Sequence, residues 1–201
     1  MQAMLEYLVA AFSTLSIPET AAVLLAIAYL VLAIHQNILC WAAGMISALI
    51  FMGVFYSALL YMQSALQVFY VGMAIYGWYQ WRYAGDEGAG VRIHTLTIVR
   101  HIQVIAGTGA AALLLGWIMS MTDTAFPYAE AFITVAAIVT TFMVAQKVLE
   151  HWLYWFVIDS IAVYLYVARE LYLTALLFVF YLVMAVVGYR RWRREYLADA
   201  A

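Results

Sequence analysis

Residues 41–82 recur, displaced by 111 positions and without a gap, as residues 152–193. Trp41 falls on Trp152, Leu60-Tyr61 on Leu171-Tyr172, Val68-Phe69-Tyr70 on Val179-Phe180-Tyr181, Met73-Ala74 on Met184-Ala185, Gly77 on Gly188 and Trp81-Arg82 on Trp192-Arg193. About 13 of the 42 aligned positions are identical, more than a Leu- and Tyr-rich composition produces by chance, so the chain carries an internal duplication. A duplicated chain must fold twice into one kind of unit. In a bilayer, two such bundles are the usual frame of a small-solute carrier, with the solute site expected between the copies near mid-membrane.

The bilayer setting follows from composition. With 69% hydrophobic and 10% charged residues and a mean hydropathy of +0.96, the chain has too little charge to cover a soluble domain of 201 residues. A net charge of -2 supplies no basic face for phosphates, which excludes nucleic acid as a partner. The single cysteine, Cys40, forms neither an internal disulfide nor a multi-cysteine metal site and reads as an apolar filler.

A hydrocarbon core of roughly 30 Å takes about 20 apolar residues per helix. The chain then divides into seven spans, near 19–36, 38–57, 62–82, 98–120, 125–147, 151–168 and 171–190. Breaks fall at Gln36-Asn37, Ser57, Gly85 to Arg92, Thr122-Asp123 with Pro127, Lys147 to Glu150, and Arg169-Glu170. Residues 1–17 are too short to span and read as an interfacial helix rather than a signal peptide, because they lack a basic leader and a small-residue cleavage site. With the N-terminus outside, Arg82, Arg92, Arg100, Lys147, Arg190, Arg191, Arg193 and Arg194 share one side and Arg169 stands alone on the other, which predicts a cytoplasmic C-terminus.

Two three-helix repeats keep the same orientation only if an odd number of spans separates them. The predicted fold class is therefore an all-α membrane protein with seven transmembrane helices in a three-plus-one-plus-three, parallel-repeat arrangement. The first repeat covers 19–82, a cytoplasmic loop 83–97, an inversion linker helix 98–120, the second repeat 125–193 and a cytoplasmic tail 194–201. In the linker, Gly107, Gly109 and Ala110 to Ala112 are small residues expected to let helices approach closely.

Polar groups at membrane depth are costly and mark candidate working residues. Trp152, Trp155 and Asp159 lie on one face of the sixth span, with His151 adjoining. Gln63, Gln67, Tyr70 and Ala74 share a face of the third, and Glu130, Thr134 and Thr141 a stripe of the fifth. Asn37 and Trp41 stand near the start of the second. Indoles stack on flat rings and attract cations, carboxylates select positive charge, and Gln bonds hydroxyl or amine groups. The competing readings are an interfacial aromatic belt, which accounts for Trp78, Trp81 and Trp192 and competes for Trp152 and Trp155, and a boundary carboxylate for Glu130 or Asp159.

Lys147 to Trp155, KVLEHWLYW, followed by Ile158-Asp159, resembles the W-x-x-W region of the PnuC family of bacterial vitamin transporters. Leu66 to Phe69 with Ile75 to Trp81 is similar to the corresponding motif of that family's first half, and Phe126-Pro127 and Leu171 to Leu176 also fit. The resemblance runs from about residue 20 to 194. It implies a SWEET-like bundle in the bacterial inner membrane that imports nicotinamide riboside by facilitated diffusion, with cytoplasmic phosphorylation as the trap; thiamine is the alternative. The implied binding positions are Trp152, Trp155 and Gln67, to which the residue pattern adds Tyr70, Glu130, His151 and Asp159. A homotrimer is also implied, and no cofactor. Departures are His151 where the family commonly has Asn, Glu130 where it has Asp, and Ala74 where some members have Asn.

Two other classes fit less well. A retinal photoreceptor needs a lysine in its last span, and the only lysine is Lys147. An enzyme needs a reactive constellation, whereas His35, His94, His101 and His151 are scattered without metal-ligand spacing.

Overall fold

The structure is a computed structural model that describes residues 16–57, 59, 61–85, 89–123 and 125–199, without the side chains of residues 61, 62 and 173. Among the described residues there are seven α-helices: α1 Ile17–Ile34, α2 Leu39–Ser57, α3 Tyr61–Tyr83, α4 Ile98–Met119, α5 Pro127–Ala145, α6 His151–Ala168 and α7 Tyr172–Asp199. Six of them, all but α3, are long and apolar enough to cross a membrane, so the protein is a multi-pass membrane protein. Gln63, Gln67, Gln80 and Arg82 dilute the apolar character of α3. The interfacial helix expected over residues 1–17 lies, up to residue 15, outside the described residues.

Local signals set the boundaries. At the start of α1 the Ser16 hydroxyl accepts from the Glu19 N–H at 3.3 Å, and the Glu19 carboxylate accepts from the Ser16 N–H at 2.7 Å. This capping box, with Pro18 in the first turn, opens the helix two residues ahead of the predicted span. α7 continues through Asp199, into the stretch expected as a tail, with Arg191 and Glu195 paired at 3.2 Å one turn apart.

The chain divides into two compact units, residues 1–90 and 91–201. In the first, α2 packs on α1 and on α3. Ser47 Oγ donates across the α1–α2 contact to the Ala22 carbonyl at 2.8 Å, and Ser64 Oγ joins α3 to the Met52 carbonyl of α2 at 2.9 Å. In the second unit α4 packs on α5, α5 on α6, and α6 on α7. Of the small residues expected to pack in the linker, Ala112 is buried and the two glycines are not. Nothing stands within 4 Å of where a Cβ would lie on Gly107 or Gly109, whereas one on Gly116 would come 2.5 Å from the Tyr128 ring. The reason is rotation: Thr108, Ala112 and Gly116, spaced four apart, form the buried stripe of α4, so the other two glycines point away from it.

Within the second unit, residues 94–96 are tied to the α5–α6 turn. The His94 N–H donates to the Lys147 carbonyl at 3.2 Å and the Leu149 N–H to the His94 carbonyl at 2.8 Å, an isolated parallel bridge with the α5–α6 turn. The Leu96 N–H reaches the Glu150 carboxylate at 3.3 Å.

The duplication reappears as geometry at the same displacement. Two residues past the ends of α1 and α5 stand Gln36 and Lys147, both left-handed, with φ of 51° and 55°; two past the ends of α2 and α6 stand Leu59 and Glu170, with φ of 61° and 60°. Each of these four N–H groups donates to the carbonyl three residues back, at 3.0 Å in every case, closing a helix end without glycine. Each unit also contains a clasp. Trp41 of α2 lies against Gly77 of α3 and meets Trp81 edge-on, at 5.5 Å and 86°; Trp152 of α6 lies against Gly188 of α7 and meets Trp192 at 5.7 Å and 86°. A Cβ on either glycine would collide with the facing indole, so only glycine admits the ring.

Candidate substrate site

In the second unit, α6 begins with the clasp. Trp152 is 2% exposed and His151 1%; the imidazole lies 4.4 Å from the Trp152 ring and 4.8 Å from Trp192, with Nδ1 2.7 Å from the Val148 carbonyl. The two indoles and the imidazole thus form one packed aromatic cluster, a sufficient structural reason for all three. Among the described residues the indole N–H of Trp152 has no hydrogen-bond partner, and neither has that of Trp41. A buried unpaired donor costs about 1–3 kcal/mol, so both indoles retain a polar group that a ligand could satisfy.

Trp155 follows one turn later and is half-buried. Asp159, a further turn along, is 3% exposed, with the buried Ile158 and Ala162 beside it. A carboxylate that deep in a helix bundle is expensive unless a cation or donors meet it.

The structure does not bring Glu130 to this group. Its carboxylate pairs with Arg169, whose guanidinium also lies 5.8 Å from the Phe126 ring centroid. Arg169 caps the far end of α6, roughly 25 Å along the helix from Trp152. In the first unit Gln67 and Tyr70 are half-buried on the face of α3 that carries the buried Ala74, and Tyr70 packs edge-on to Phe69 at 5.4 Å.

Superposing the repeat on itself by its displacement of 111 separates frame from exception. Trp152 matches Trp41, Tyr181 matches Tyr70, and Glu130 matches Glu19. Trp41 and Trp152 serve a need common to both copies, the packed clasp, whereas Glu19 caps α1 and Glu130 pairs with Arg169. Trp155 falls on Gly44, Asp159 on Ala48, His151 on Cys40 and Gln67 on Phe178. Reading the mismatches would have revealed this distinction from sequence. The W-x-x-W spacing alone hid it, because it puts one frame residue and one exception in the same motif.

Residues 16–194 match the family model described as the nicotinamide mononucleotide transporter, nearly the whole described chain. The chain belongs to the PnuC family of transporters. Among its relatives, the riboflavin/roseoflavin transporter RibM of Streptomyces davaonensis is 29% identical over 81% of this chain and 78% of its own length. The nicotinamide riboside transporter PnuC of Escherichia coli K12 is 26% identical over 74% of this chain and 73% of its own length. The crystal structure of a vitamin B3 transporter PnuC shares the fold, with a TM-score of 0.68, 23% identity and coverage of 88% of this chain and 80% of that one. The PnuC fold therefore supplies the frame.

Proposed function

We propose that this protein carries a flat, hydroxylated heteroaromatic vitamin across the bacterial inner membrane, with nicotinamide riboside the first candidate and thiamine the second. The observation that carries this reading is Asp159, a carboxylate 3% exposed at membrane depth, one turn beyond the half-buried Trp155, at positions where the other copy has only Ala48 and Gly44. Both candidates are cations, which a buried carboxylate and an indole face favour together. Gln67 offers an amide to the hydroxylated arm, with Tyr70 beside it. His151 and Trp152 hold the start of α6, so we assign them positioning roles, the Trp152 N–H being available to the substrate. Glu130 we assign to the Arg169 ion pair.

All seven helices span in this reading, three plus one plus three as in SWEET transporters. The N-terminus is then outside and the C-terminus cytoplasmic, because that alone gathers eight of the nine Lys and Arg residues on one side. Movement is by alternating access, one triple-helix unit rocking against the other, and involves no covalent step. We propose facilitated diffusion with metabolic trapping inside the cell.

Purified protein in liposomes tests this. Labelled nicotinamide riboside should enter, should be displaced by excess unlabelled compound, and should continue to enter after an uncoupler is added. Uptake should fall by at least tenfold in Trp155→Ala and Asp159→Asn. Equal uptake by both variants would remove α6 from the substrate path. Thiamine entry without nicotinamide riboside entry would select the alternative.

A further inference from the structure

The outward stripe of α7 changes character once along its length. Val183, Val186 and Val187 are exposed, and the same stripe continues through the exposed Arg190, Arg193 and Arg194. Ala185, Gly188 and Trp192 are buried on the opposite side, where the clasp with Trp152 fixes the rotation of the helix. A helix of 28 residues is roughly 42 Å long, more than the hydrocarbon core of about 30 Å. Counted from Tyr172, Arg190 lies about 27 Å along it and Arg194 about 33 Å. The guanidiniums therefore stand where acyl chains give way to headgroups, with the valines at chain depth.

The three arginines line one groove of about 540 Å³ together with Tyr189 and Leu197, and no carboxylate lines it with them. Arg191, off this stripe, is paired with Glu195 at 3.2 Å. Among the described residues the guanidiniums of Arg190, Arg193 and Arg194 have no ion-pair or hydrogen-bond partner. Like charges on adjacent turns repel one another, so the cluster is destabilising until an anion sits within it. A charge bias across the membrane accounts for the number of arginines but not for their shared stripe. Nor does the repeated frame require them. At the positions of the first copy that match Arg190 and Arg194 stand Tyr79 and Tyr83, with rings 5.8 Å apart, and only Arg82 matches Arg193.

We propose that α7 carries a site for one anionic phospholipid, its phosphate held by Arg190, Arg193 and Arg194 and an acyl chain lying along Val183, Val186 and Val187. A free phosphate would share the arginine contacts, but the apolar stripe that leads into the groove commits it to a lipid. The site uses none of the residues assigned to substrate and does not depend on which solute is carried.

The full-length protein in detergent, titrated with phosphatidylglycerol and followed by native mass spectrometry, should retain this lipid saturably and at least tenfold more tightly than zwitterionic phosphatidylcholine. Arg190→Gln, Arg193→Gln and Arg194→Gln should each weaken retention about fivefold, and the triple change about a hundredfold. Arg191→Gln and Arg82→Gln, which remove the same charge away from the groove, should leave it unchanged. Equal retention of the two lipids by folded protein, or retention indifferent to the single changes in the groove, overturns the site. Displacement by excess inorganic phosphate overturns the lipid assignment in favour of a free anion. Loss of self-association in the triple variant with lipid retention intact would instead assign this face to a second copy of the chain. Absent nicotinamide riboside uptake by the unaltered protein overturns the transport reading alone and leaves the lipid site standing.

Discussion

The two triple-helix segments are built on one frame and filled differently. In the first, Tyr29 of α1 lies over Gly44 of α2, where an added Cβ would come 3.0 Å from its ring, and it meets Trp41 at 5.9 Å. At the matching positions of the second stand Thr140 and Trp155. The large aromatic has moved from the first helix of the repeat to the second, and a small hydroxylated residue has taken its former place. Ala48 has become Asp159 one turn further on. The first copy therefore fills this region with a tyrosine, while the second has an indole, a buried carboxylate and an unpaired hydroxyl. Duplication allows this: one copy can keep the packed arrangement while the other acquires polar groups that cost stability and give chemistry.

That contrast can be broken most directly at the clasps. Trp41→Ala and Trp152→Ala should each cost about 3–5 kcal/mol, read as a fall in the unfolding midpoint in detergent. The two costs should be similar if the residues are frame, and a stable Trp152→Ala protein that has merely lost substrate would show that Trp152 is an exception like Trp155. Gly77→Ala and Gly188→Ala should cost roughly 1–3 kcal/mol each by overpacking. Much of that should vanish when the facing tryptophan is also alanine, a coupling that a double-mutant cycle measures.

The exceptions should respond in the opposite sense. Asp159→Asn should keep or raise stability, because it removes a buried charge, while lowering affinity for a cationic substrate about tenfold by calorimetric titration. Its mirror change, Ala48→Asp, should destabilise the first copy and confer no binding. The smallest effect is expected at the half-exposed ion pair. Arg169→Ala should cost about 0–1 kcal/mol, and added salt should shrink the difference from the unaltered protein.

Much of this was legible in the chain itself. The hydropathy pattern places seven helices to within a few residues, save the end of α7, which runs nine residues past the expected 190, because apolar runs must be about as long as the bilayer is thick and the turn residues between them are polar. The recurrence of Trp41, Gly77 and Trp81 at 152, 188 and 192 announced a repeated unit. Sequence gave no sign of what those residues do together, since the clasp joins side chains 36 positions apart through contact alone. Likewise, of the small residues Gly107, Gly109 and Ala110 to Ala112 that point to a packing surface on α4, the helix turns only Ala112 inward, together with Thr108 and Gly116.

The chain alone therefore determined the class of molecule: its membrane setting, its number of helices and its duplication, all properties that depend on local apolarity and periodic spacing. Tertiary structure decided which polar residues are committed. Packing satisfied Glu130 with Arg169 and enclosed His151 between two indoles, while leaving Thr108, Thr140 and two indole N–H groups without partners among the described residues. Whether a polar group is spent on its neighbours or kept for a ligand depends on what comes within about 3 Å of it, and that distance is set only when distant helices meet.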